Sequence, residues 1–329
     1  MYDPLIDTSP GCNVAYPDSY WAAISGHAPQ SDSAPENDMD VDVAIIGAGY
    51  TGLSCAYQLA KIHGIKAHIF EANQSAWGCS GRNAGFVLKS TGRLSYPQMI
   101  KRWGQSTAKN VYDEVSRGLE ITNALIDEIH RSTSIDCQIQ SKGYLRVAHK
   151  PAMVKPLQQQ VKLMQRLLNE DCEFLTAKHI QQNYFASPLA YGAIRFKDSF
   201  GLNPLRLAWG YQTLAQQAGV AIYTGSPVSQ ISQQKDWQIL QTPKAKIRAK
   251  KLVIATNGYT ANGLHSQLDG RSLPVLSQII VTEPLNDHQI SDCHLLSSNV
   301  VMDTRALKYY FRKLPDNRLF IWWSWRYHR

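Results

Sequence analysis

The most restrictive feature of this chain is a short apolar run that stops at a regular group of glycines. Residues 43–46 read Val-Ala-Ile-Ile, a composition typical of a buried parallel strand. The fingerprint Gly47-x-Gly49-x-x-Gly52 follows at once. In a nucleotide-binding unit the first glycine makes the tight turn, the second admits a pyrophosphate and the third lets the helix pack closely on the strand. The pattern predicts a phosphate site on the positive end of a helix.

The residues after the glycines complete a βαβ unit. Helix-forming residues run over Leu53–Lys61, and a second strand over Ala67–Phe70 ends in Glu71, nineteen residues past Gly52. A carboxylate at that place accepts hydrogen bonds from the ribose hydroxyls of an adenosine and disfavours a 2'-phosphate. The order of strand, glycines, helix, strand and acid therefore predicts binding of a dinucleotide other than NADP. A merely structural glycine turn is the alternative.

Composition narrows the class of protein further. The 329 residues suffice for two domains, and 44% hydrophobic against 18% charged residues is typical of a soluble globular protein. The net charge of +8 comes from scattered single lysines and arginines, which argues against a nucleic-acid partner. The sequence shows neither a signal-peptide pattern nor an apolar stretch of roughly eighteen residues, so we expect a cytoplasmic protein without a membrane partner.

The cysteines and histidines give no metal-ligand pattern. The six cysteines form no CxxC pair and have no regular spacing, so they indicate neither a zinc site nor a disulfide framework and favour a reducing cytosol. They are Cys12, Cys55, Cys79, Cys137, Cys172 and Cys293. His288, Cys293 and His294 come together in HQISDCH, but their spacing matches no ligand set and predicts a polar loop. We expect no metal.

The pattern along the chain predicts an α/β fold in which a Rossmann-like nucleotide-binding domain is interrupted by an inserted α+β substrate domain. Residues 1–37 are rich in Pro, Ser, Asp and Gly and predict an irregular arm, with Tyr20–Ala22 as a docking point. The nucleotide domain is predicted over residues 38–95 and 201–262, and the substrate domain over residues 96–200 and 263–329, ending in an aberrant tail.

Hydrophobic periodicity places further elements within these segments. We expect amphipathic helices over residues 107–131 and Met153–Asn169, a strand over Gly143–Ala148, a helix over residues 203–219 with Pro204 in its first turn, and strands over Val220–Tyr223 and Lys251–Ala255. The last of these strands runs into Thr256-Asn257-Gly258 and repeats the strand-into-glycine turn of the first fingerprint. The nucleotide domain is therefore predicted to be discontinuous in sequence.

A second glycine-rich segment, GCSGRNAGF at residues 78–86, follows the acid closely. Its three glycines allow a tight loop whose backbone N–H groups approach a ligand. Ser80, Arg82 and Asn83 add donors suited to phosphate or carbonyl oxygens. The bare pattern is also that of an ordinary polar loop, and its position after the acid favours the binding interpretation.

Together these segments resemble a known family. VAIIGAGYTGLSCAYQLA, IFEA, WGCSGRNAGF, GLNPLRLAWG, KLVIATNGYT and YYFRKLPDNRLF are similar to the FAD-dependent amine and amino-acid oxidases of the D-amino-acid oxidase, glycine oxidase and sarcosine oxidase class, and most of all to bacterial gamma-glutamylputrescine oxidases. The resemblance covers residues 18–321. It implies FAD as cofactor and hydride transfer from an amine or amino acid to the flavin, with imine hydrolysis and peroxide formation from molecular oxygen. A gamma-glutamyl polyamine is the implied substrate and polyamine catabolism the implied role.

The resemblance also implies site residues by position. Gly47, Gly49 and Gly52 would face the pyrophosphate and Glu71 the adenosine ribose. Ser80, Arg82 and Asn83 would lie near the flavin, Val228 beside the adenine, and Thr256, Asn257 and Gly258 behind the ADP. The further cofactor-binding residues so implied are Tyr50, Thr51, Ala72, Gly81 and Ala84. No acid–base pair is evident, so no catalytic residue is assigned beyond the placement of Arg82 near the flavin.

Several interpretations stay open at this point. Cys79, where the family commonly has alanine, is either a tolerated small residue or a reactive thiol. Tyr191, Tyr309 and Tyr310 either line the substrate cavity or pack half-buried. An NAD-linked dehydrogenase shares the first fingerprint. The SGRN loop, residues 80–83 of the second glycine-rich segment, and the inserted domain argue against that class. A binding remnant without catalysis is the third possibility.

The C-terminal residues depart from the family pattern. After residue 321 the oxidases continue with a Gly-Gly turn, whereas this chain reads WWSWRYHR. Because tryptophan has the single codon TGG, reading this stretch one base later gives Gly-Gly-x-Gly, which resembles the expected continuation. The sequence therefore predicts a frameshifted, truncated product without the closing strand and the flavin cover, which binds FAD weakly and has little or no turnover. A genuine short variant with a tryptophan anchor is the alternative.

Overall fold

The computed structural model describes residue 7 and residues 9–92, 94–275 and 277–322. The chain divides into two units that each combine separate pieces of sequence. The first unit contains residues 1–83, 125–137 and 203–276, and the second contains residues 84–124, 138–202 and 277–329. Residues 323–329, which carry most of the anomalous tail, lie outside the described residues.

Helices and strands are mixed over the first two thirds of the chain, and strands predominate after Gln217. In the described residues the helices are α1 (Tyr20–Ser25), α2 (Tyr50–His63), α3 (Tyr96–Ser132), α4 (Val154–Leu168), α5 (Ala177–Asn183), α6 (Pro204–Gln217) and α7 (Asp287–Asp292). The strands are β1 (Met39–Ile46), β2 (His68–Phe70), β3 (Phe86–Val87), β4 (Tyr144–Val147), β5 (Cys172–Thr176), β6 (Gly192–Phe196), β7 (Phe200–Gly201), β8 (Ala221–Tyr223), β9 (Gln230–Gln234), β10 (Trp237–Gln241), β11 (Lys246–Ile254), β12 (Ile280–Val281), β13 (Val300–Asp303), β14 (Tyr310–Lys313) and β15 (Leu319–Trp322).

The first unit is built on a six-stranded sheet with the order β8-β2-β1-β11-β10-β9. The first four of these strands are parallel, and β9 and β10 extend the sheet in antiparallel fashion. Ile46 lies opposite Phe70 on one side and Ile254 on the other. The carboxyl ends of β1, β2 and β11 therefore meet at one edge, where open α/β sheets place their ligands. The α/β fold class predicted from the sequence is confirmed.

Helix α6 shows how local sequence fixes an element of this unit. Its N-cap is Asn203, whose side-chain oxygen accepts from the backbone N–H groups of Leu205 and Arg206, and Pro204 occupies the first helical position. Gly210 gives α6 a close neighbour, because a Cβ there would lie 2.4 Å from Ile129. This packing explains why residues 125–137, which the sequence pattern places in the substrate domain, belong to the first unit.

The second unit contains a seven-stranded mixed sheet with the order β12-β15-β14-β13-β4-β6-β5, in which only β4 and β13 pair in parallel. Helix α4 lies against β5 and β6 through an apolar stripe at helical spacing. The stripe comprises Leu157, Val161, Met164 and Leu168. Helix α3 begins earlier than predicted and is kinked at Gly104, whose φ is +83°.

Two local predictions need correction. HQISDCH is not a polar loop: it contains most of α7, because Asn286 and Gln289 form a capping box that starts a short helix. Residues 1–37 are not wholly irregular, since Ser19 caps α1 and Trp21 is buried. No group of three or more His, Cys, Asp or Glu side chains in the described residues is placed to hold a metal ion. Among the described helices, none has the length and apolar character needed to cross a bilayer.

Candidate functional site

An open cleft lies at the carboxyl edge of the first unit's sheet. Many residues predicted to bind the cofactor line it, namely Gly47, Gly49, Glu71, Ala72, Ser80, Val228, Thr256 and Asn257. Residues that the sequence did not single out complete the wall, among them Pro10, Asn73, Trp77 and Tyr259. The cleft is therefore assembled around the first fingerprint.

Two fingerprint glycines are required by the backbone itself. Gly47 has a φ of +103°, and a Cβ there would lie 2.8 Å from the carbonyl oxygen of Ala255. A Cβ on Gly52 would lie 2.0 Å from the carbonyl oxygen of Gly47. These contacts leave no space for a side chain. Glycine at position 52 lets α2 approach β1, and glycine at position 47 lets the turn after β1 lie against the segment after β11.

The middle glycine makes room for a side chain from elsewhere in the chain. A Cβ on Gly49 would lie 2.9 Å from Oγ of Ser80. That hydroxyl accepts a hydrogen bond from the backbone N–H of Tyr50 at 3.0 Å, at the start of α2. The second glycine-rich segment thus caps the helix whose positive end faces the cleft. Gly49 joins the two motifs, a role that spacing alone does not reveal.

Glu71 is held by backbone donors on both of its carboxylate oxygens. Oε2 accepts from the N–H of Ala48 at 2.8 Å, and Oε1 accepts from the N–H of Asn73 at 3.0 Å. Burial raises the pKa of Glu71, and hydrogen bonds from backbone N–H groups act against that shift. A carboxylate has about four lone-pair sites, which is more than the backbone N–H groups of Ala48, Ala72 and Asn73 occupy. The acid is oriented and still able to accept ligand hydroxyls.

The N-terminal arm forms part of the cleft wall. Asn73, whose side chain is fully buried, accepts from the N–H of Val14 at 2.8 Å and donates to the carbonyl oxygen of Pro10 at 3.1 Å. The N–H of Asn13 donates to the carbonyl oxygen of Ala72 at 3.0 Å. The arm is thereby fastened to the segment that carries the acid.

Aromatic side chains fasten the next residues of the arm. Trp77 donates from Nε1 to the carbonyl oxygen of Ala15 at 2.9 Å. The hydroxyl of Tyr16 donates to the carbonyl oxygen of Ser75 at 2.6 Å and accepts from Nε1 of Trp209 at 3.1 Å. Farther on, Trp21 donates to the carbonyl oxygen of Asn83 at 2.9 Å, so its prediction as a docking point is confirmed. We refer to residues 10–16 as the clasp.

Arg82 connects the SGRN loop with the segment after β11. Its Nη2 donates to the hydroxyl of Tyr259 at 2.7 Å, and its guanidinium lies over the ring of Trp77 at 5.0 Å. Burial, reinforced by nearby Cys79, raises the pKa of Tyr259 to about 12, against the opposite effect of Arg82. The phenol is therefore neutral at pH 7. Exposed Cys79 lines the cleft, with its Sγ 3.7 Å from the same hydroxyl.

The other predicted binding residues have mainly structural contacts. Asn83 donates to the carbonyl oxygens of Cys79 and Ser80, and a Cβ on Gly81 would lie 2.3 Å from the carbonyl oxygen of Ala76. These contacts explain the tight fold of the SGRN loop. Ala84 is the first residue of the second unit.

The side chains that follow Gly49 point to different surroundings. The hydroxyl of Tyr50 donates to the carbonyl oxygen of Pro204 at 2.8 Å, and Thr51 is exposed. After β11, Asn257 has a φ of +50°, and a Cβ on Gly258 would meet only Pro274 at 3.8 Å. Both polar groups of Tyr50 are therefore used inside the protein, the hydroxyl by Pro204 and the backbone N–H by Ser80.

The three tyrosines considered for the substrate cavity line none of the described cavities. Tyr191 and Tyr309 are exposed. Tyr310 packs its ring against Phe86 at 5.4 Å and stacks on Trp322 at 4.9 Å. Trp322 also donates from Nε1 to Oγ of Ser277 at 2.6 Å. The packing interpretation suits Tyr310.

Comparison with known proteins identifies the family of this chain. The model of the DAO family, described as FAD dependent oxidoreductase, matches residues 42–324. Gamma-glutamylputrescine oxidoreductase of Escherichia coli is 31% identical over 301 residues, covering 92% of this chain and 68% of that protein. A probable oxidoreductase OrdL of Haemophilus influenzae is 28% identical over 281 residues, covering 84% of this chain and 63% of that protein.

A solved structure agrees at the level of the fold. Glycine oxidase from Geobacillus kaustophilus superposes with a TM-score of 0.69 at 22% identity, covering 87% of this chain and 73% of that one. The chain spans about two thirds of the length of the curated relatives that it matches. It belongs to the DAO family of FAD-dependent oxidoreductases, and the family implies a flavin cofactor.

Proposed function

We propose that this chain binds FAD in the cleft of the first unit and oxidises the C–N bond of an amine. The main support is that three features meet at one edge of the sheet. They are the N-terminus of α2, the glycines that leave no space for a Cβ, and Glu71 with both carboxylate oxygens hydrogen-bonded to backbone N–H groups. Such an edge suits a pyrophosphate beside a ribose. Membership of the FAD-dependent oxidoreductase family supports this assignment.

Each part of the cleft would hold a different part of the cofactor. The backbone N–H groups at the start of α2 would bind the pyrophosphate, and Glu71 would accept from the ribose hydroxyls. Val228 and Leu264 give the cleft an apolar surface suited to adenine. The segment from Thr256 onward and the SGRN loop supply the remaining walls.

FAD, when bound, supplies hydride acceptance at its N5 position, and the protein contributes orientation and exclusion of water. A hydrogen bond to Tyr259 and a contact with the ring of Trp77 hold the Arg82 guanidinium, so its positive charge has a fixed position. The neutral phenol of Tyr259 accepts a hydrogen bond from that guanidinium. We assign no proton-transfer residue.

A gamma-glutamyl polyamine is the proposed substrate, and molecular oxygen the proposed electron acceptor, with peroxide as its product. The substrate assignment is supported by the name of the Escherichia coli relative. Fold and cofactor do not fix a substrate, so the alternatives come from the other relatives, which include sarcosine oxidase and glycine oxidase proteins. A role in polyamine catabolism in the cytoplasm would follow from that substrate.

The test begins with the absorption spectrum of the purified full chain, before and after incubation with FAD or NAD. We expect flavin absorption from FAD and no retention of NAD. Gamma-glutamylputrescine, putrescine, sarcosine and glycine are then compared by anaerobic flavin bleaching and aerobic peroxide release. A chain that retains NAD instead of FAD would favour a dehydrogenase. Bleaching without peroxide would exclude oxygen as the acceptor, and tight FAD binding without bleaching would indicate a binding remnant.

A further inference from the structure

In the described part of the chain, a second, partly open cavity is lined only by residues of the second unit. Its walls come from the segment before α3 and from β4, β6, β13 and α4. The cationic side chains Lys89, Arg146 and Lys308 line it, and no Asp or Glu side chain is among its described lining residues. Apolar groups from Leu94, Phe196 and Met302 complete the wall. The cavity therefore combines positive charge with room for a methylene chain.

Two of these cations, Lys89 and Arg146, differ in how far their charge is already balanced. Nζ of Lys89 lies 3.1 Å from Glu170 and 2.5 Å from Asp198, so two carboxylates neutralise it. Arg146 is half-buried and makes one hydrogen bond, from Nη1 to Oε1 of Gln160 at 3.4 Å, with no ion pair among the described residues. A guanidinium presents five donors, and a partly desolvated one without an anion is costly. Arg146 has the chemistry of a carboxylate receptor.

A buried phenol adds a second observation. Tyr96 is 4% exposed and lines the same cavity, and its hydroxyl has no hydrogen-bond partner in the described part of the chain. Buried hydroxyls are nearly always paired, so an unpaired one indicates a missing partner. Its ring lies edge-on to Tyr112 at 5.6 Å, which fixes its place in the wall.

We propose that this cavity binds the carboxylate of a small organic acid with a methylene spacer. The guanidinium of Arg146 takes the carboxylate in a bidentate pair, and Tyr96 and Lys308 supply further polar contacts. The apolar wall packs on the methylene groups. Binding itself goes beyond the proposed oxidase function; only the identification of this acid with the glutamyl end of an amine substrate rests on that function.

The test measures binding of glutarate and of its uncharged isostere glutaramide to the full chain by isothermal titration calorimetry. We expect glutarate to bind measurably and glutaramide at least about tenfold more weakly, because the amide lacks the charge-assisted pair. Arg146→Gln should weaken glutarate at least about tenfold as well. Lys197→Gln is the matched control, since it removes an exposed positive charge of the same unit that pairs with Asp171, and it should leave glutarate affinity unchanged.

A gentler variant guards against misfolding. Tyr96→Phe removes only the unpaired hydroxyl, so circular dichroism should be unchanged while glutarate binds a few-fold more weakly. Equal binding of glutarate and glutaramide, or wild-type glutarate affinity in Arg146→Gln, would overturn the proposal. FAD titration of the same variants separates the two claims. Glutarate binding without FAD binding would contradict the proposed function and leave the carboxylate site standing. FAD binding without glutarate binding would contradict the carboxylate site alone.

Discussion

The cleft of the first unit and the cavity of the second unit are built from different materials. Main-chain groups form much of the cleft. A Cβ added to Gly47 or Gly49 would lie within 3 Å of a neighbouring atom, and backbone N–H groups orient Glu71. Side chains form the polar part of the cavity, where Arg146 and Tyr96 have few partners of their own. A backbone-built site is part of the fold and tolerates little change, whereas a side-chain-built cavity can change its ligand without disturbing the fold.

Gly52→Ala tests the backbone-built site and should have the largest effect. The added Cβ would lie 2.0 Å from the carbonyl oxygen of Gly47, so the free energy of unfolding should fall by about 3 kcal/mol or more. Gly118→Ala is the control, because that helical glycine has open space around it and should gain roughly 0.5–1 kcal/mol. Urea denaturation measures both. Equal stability of the two variants would show that the backbone around the cleft tolerates a side chain at position 52.

Asn73→Ala asks whether the clasp belongs to the backbone-built site. The substitution removes the acceptor of Val14 and the donor to Pro10, so unfolding free energy should fall by about 2 kcal/mol. Hydrogen exchange at residues 10–16 should accelerate. Asn183→Ala, at an exposed asparagine that donates to a carbonyl of its own helix, should change neither quantity. Unaltered exchange in the clasp would show that other contacts hold it.

Glu71→Gln tests the link between this scaffold and its ligand. An amide in place of the carboxylate loses the charge and turns one donor group toward a backbone N–H, so FAD binding should weaken by about 1–2 kcal/mol. The measurement is FAD titration followed by absorbance. Glu128→Gln, which removes an acid paired with Lys61 on the surface, should leave FAD affinity unchanged. An equal loss in both variants would indicate a general charge effect instead of a ribose contact.

Arg146→Gln should have the smallest effect on folding. The guanidinium has no ion pair within the described residues, so its removal should change the unfolding free energy by less than about 0.5 kcal/mol. Thermal unfolding of the variant beside the wild type provides the measurement. A loss comparable with that of Asn73→Ala would show that the cavity, like the cleft, is part of the structural core.

The same contrast explains what the sequence could predict. Backbone demands appear as glycines at fixed spacing and as an acid after a strand, so Gly47, Gly52 and Glu71 are recognisable without a structure. The sequence predicts Ser80 as a donor to the ligand, but its position against Gly49, where its hydroxyl accepts from the N–H of Tyr50, depends on how two loops meet. The fold class follows from the order of these motifs.

The sequence does not predict the clasp or the contacts of Trp77 and Tyr259, and the reason is physical. Their hydrogen bonds run largely to backbone carbonyl oxygens, which every residue has, so the partners of Trp77 and Tyr16 leave no mark in the sequence. Tyr259 lies within the KLVIATNGYT motif, yet its contact with Arg82 spans 177 residues. The helix over Asp287–Asp292 was missed because a single capping box starts it in a polar sequence.

The clasp has a consequence for the order in which the protein acquires its structure. Tyr16 leaves the ribosome long before Trp209, the partner that lies 193 residues later. Segments whose partners are distant in sequence join a fold late, because a long loop must close first. The clasp is thus completed in two stages: its contacts with Asn73, Ser75 and Trp77 span 59 to 63 residues, whereas its contact with Trp209 must wait until α6 has been made.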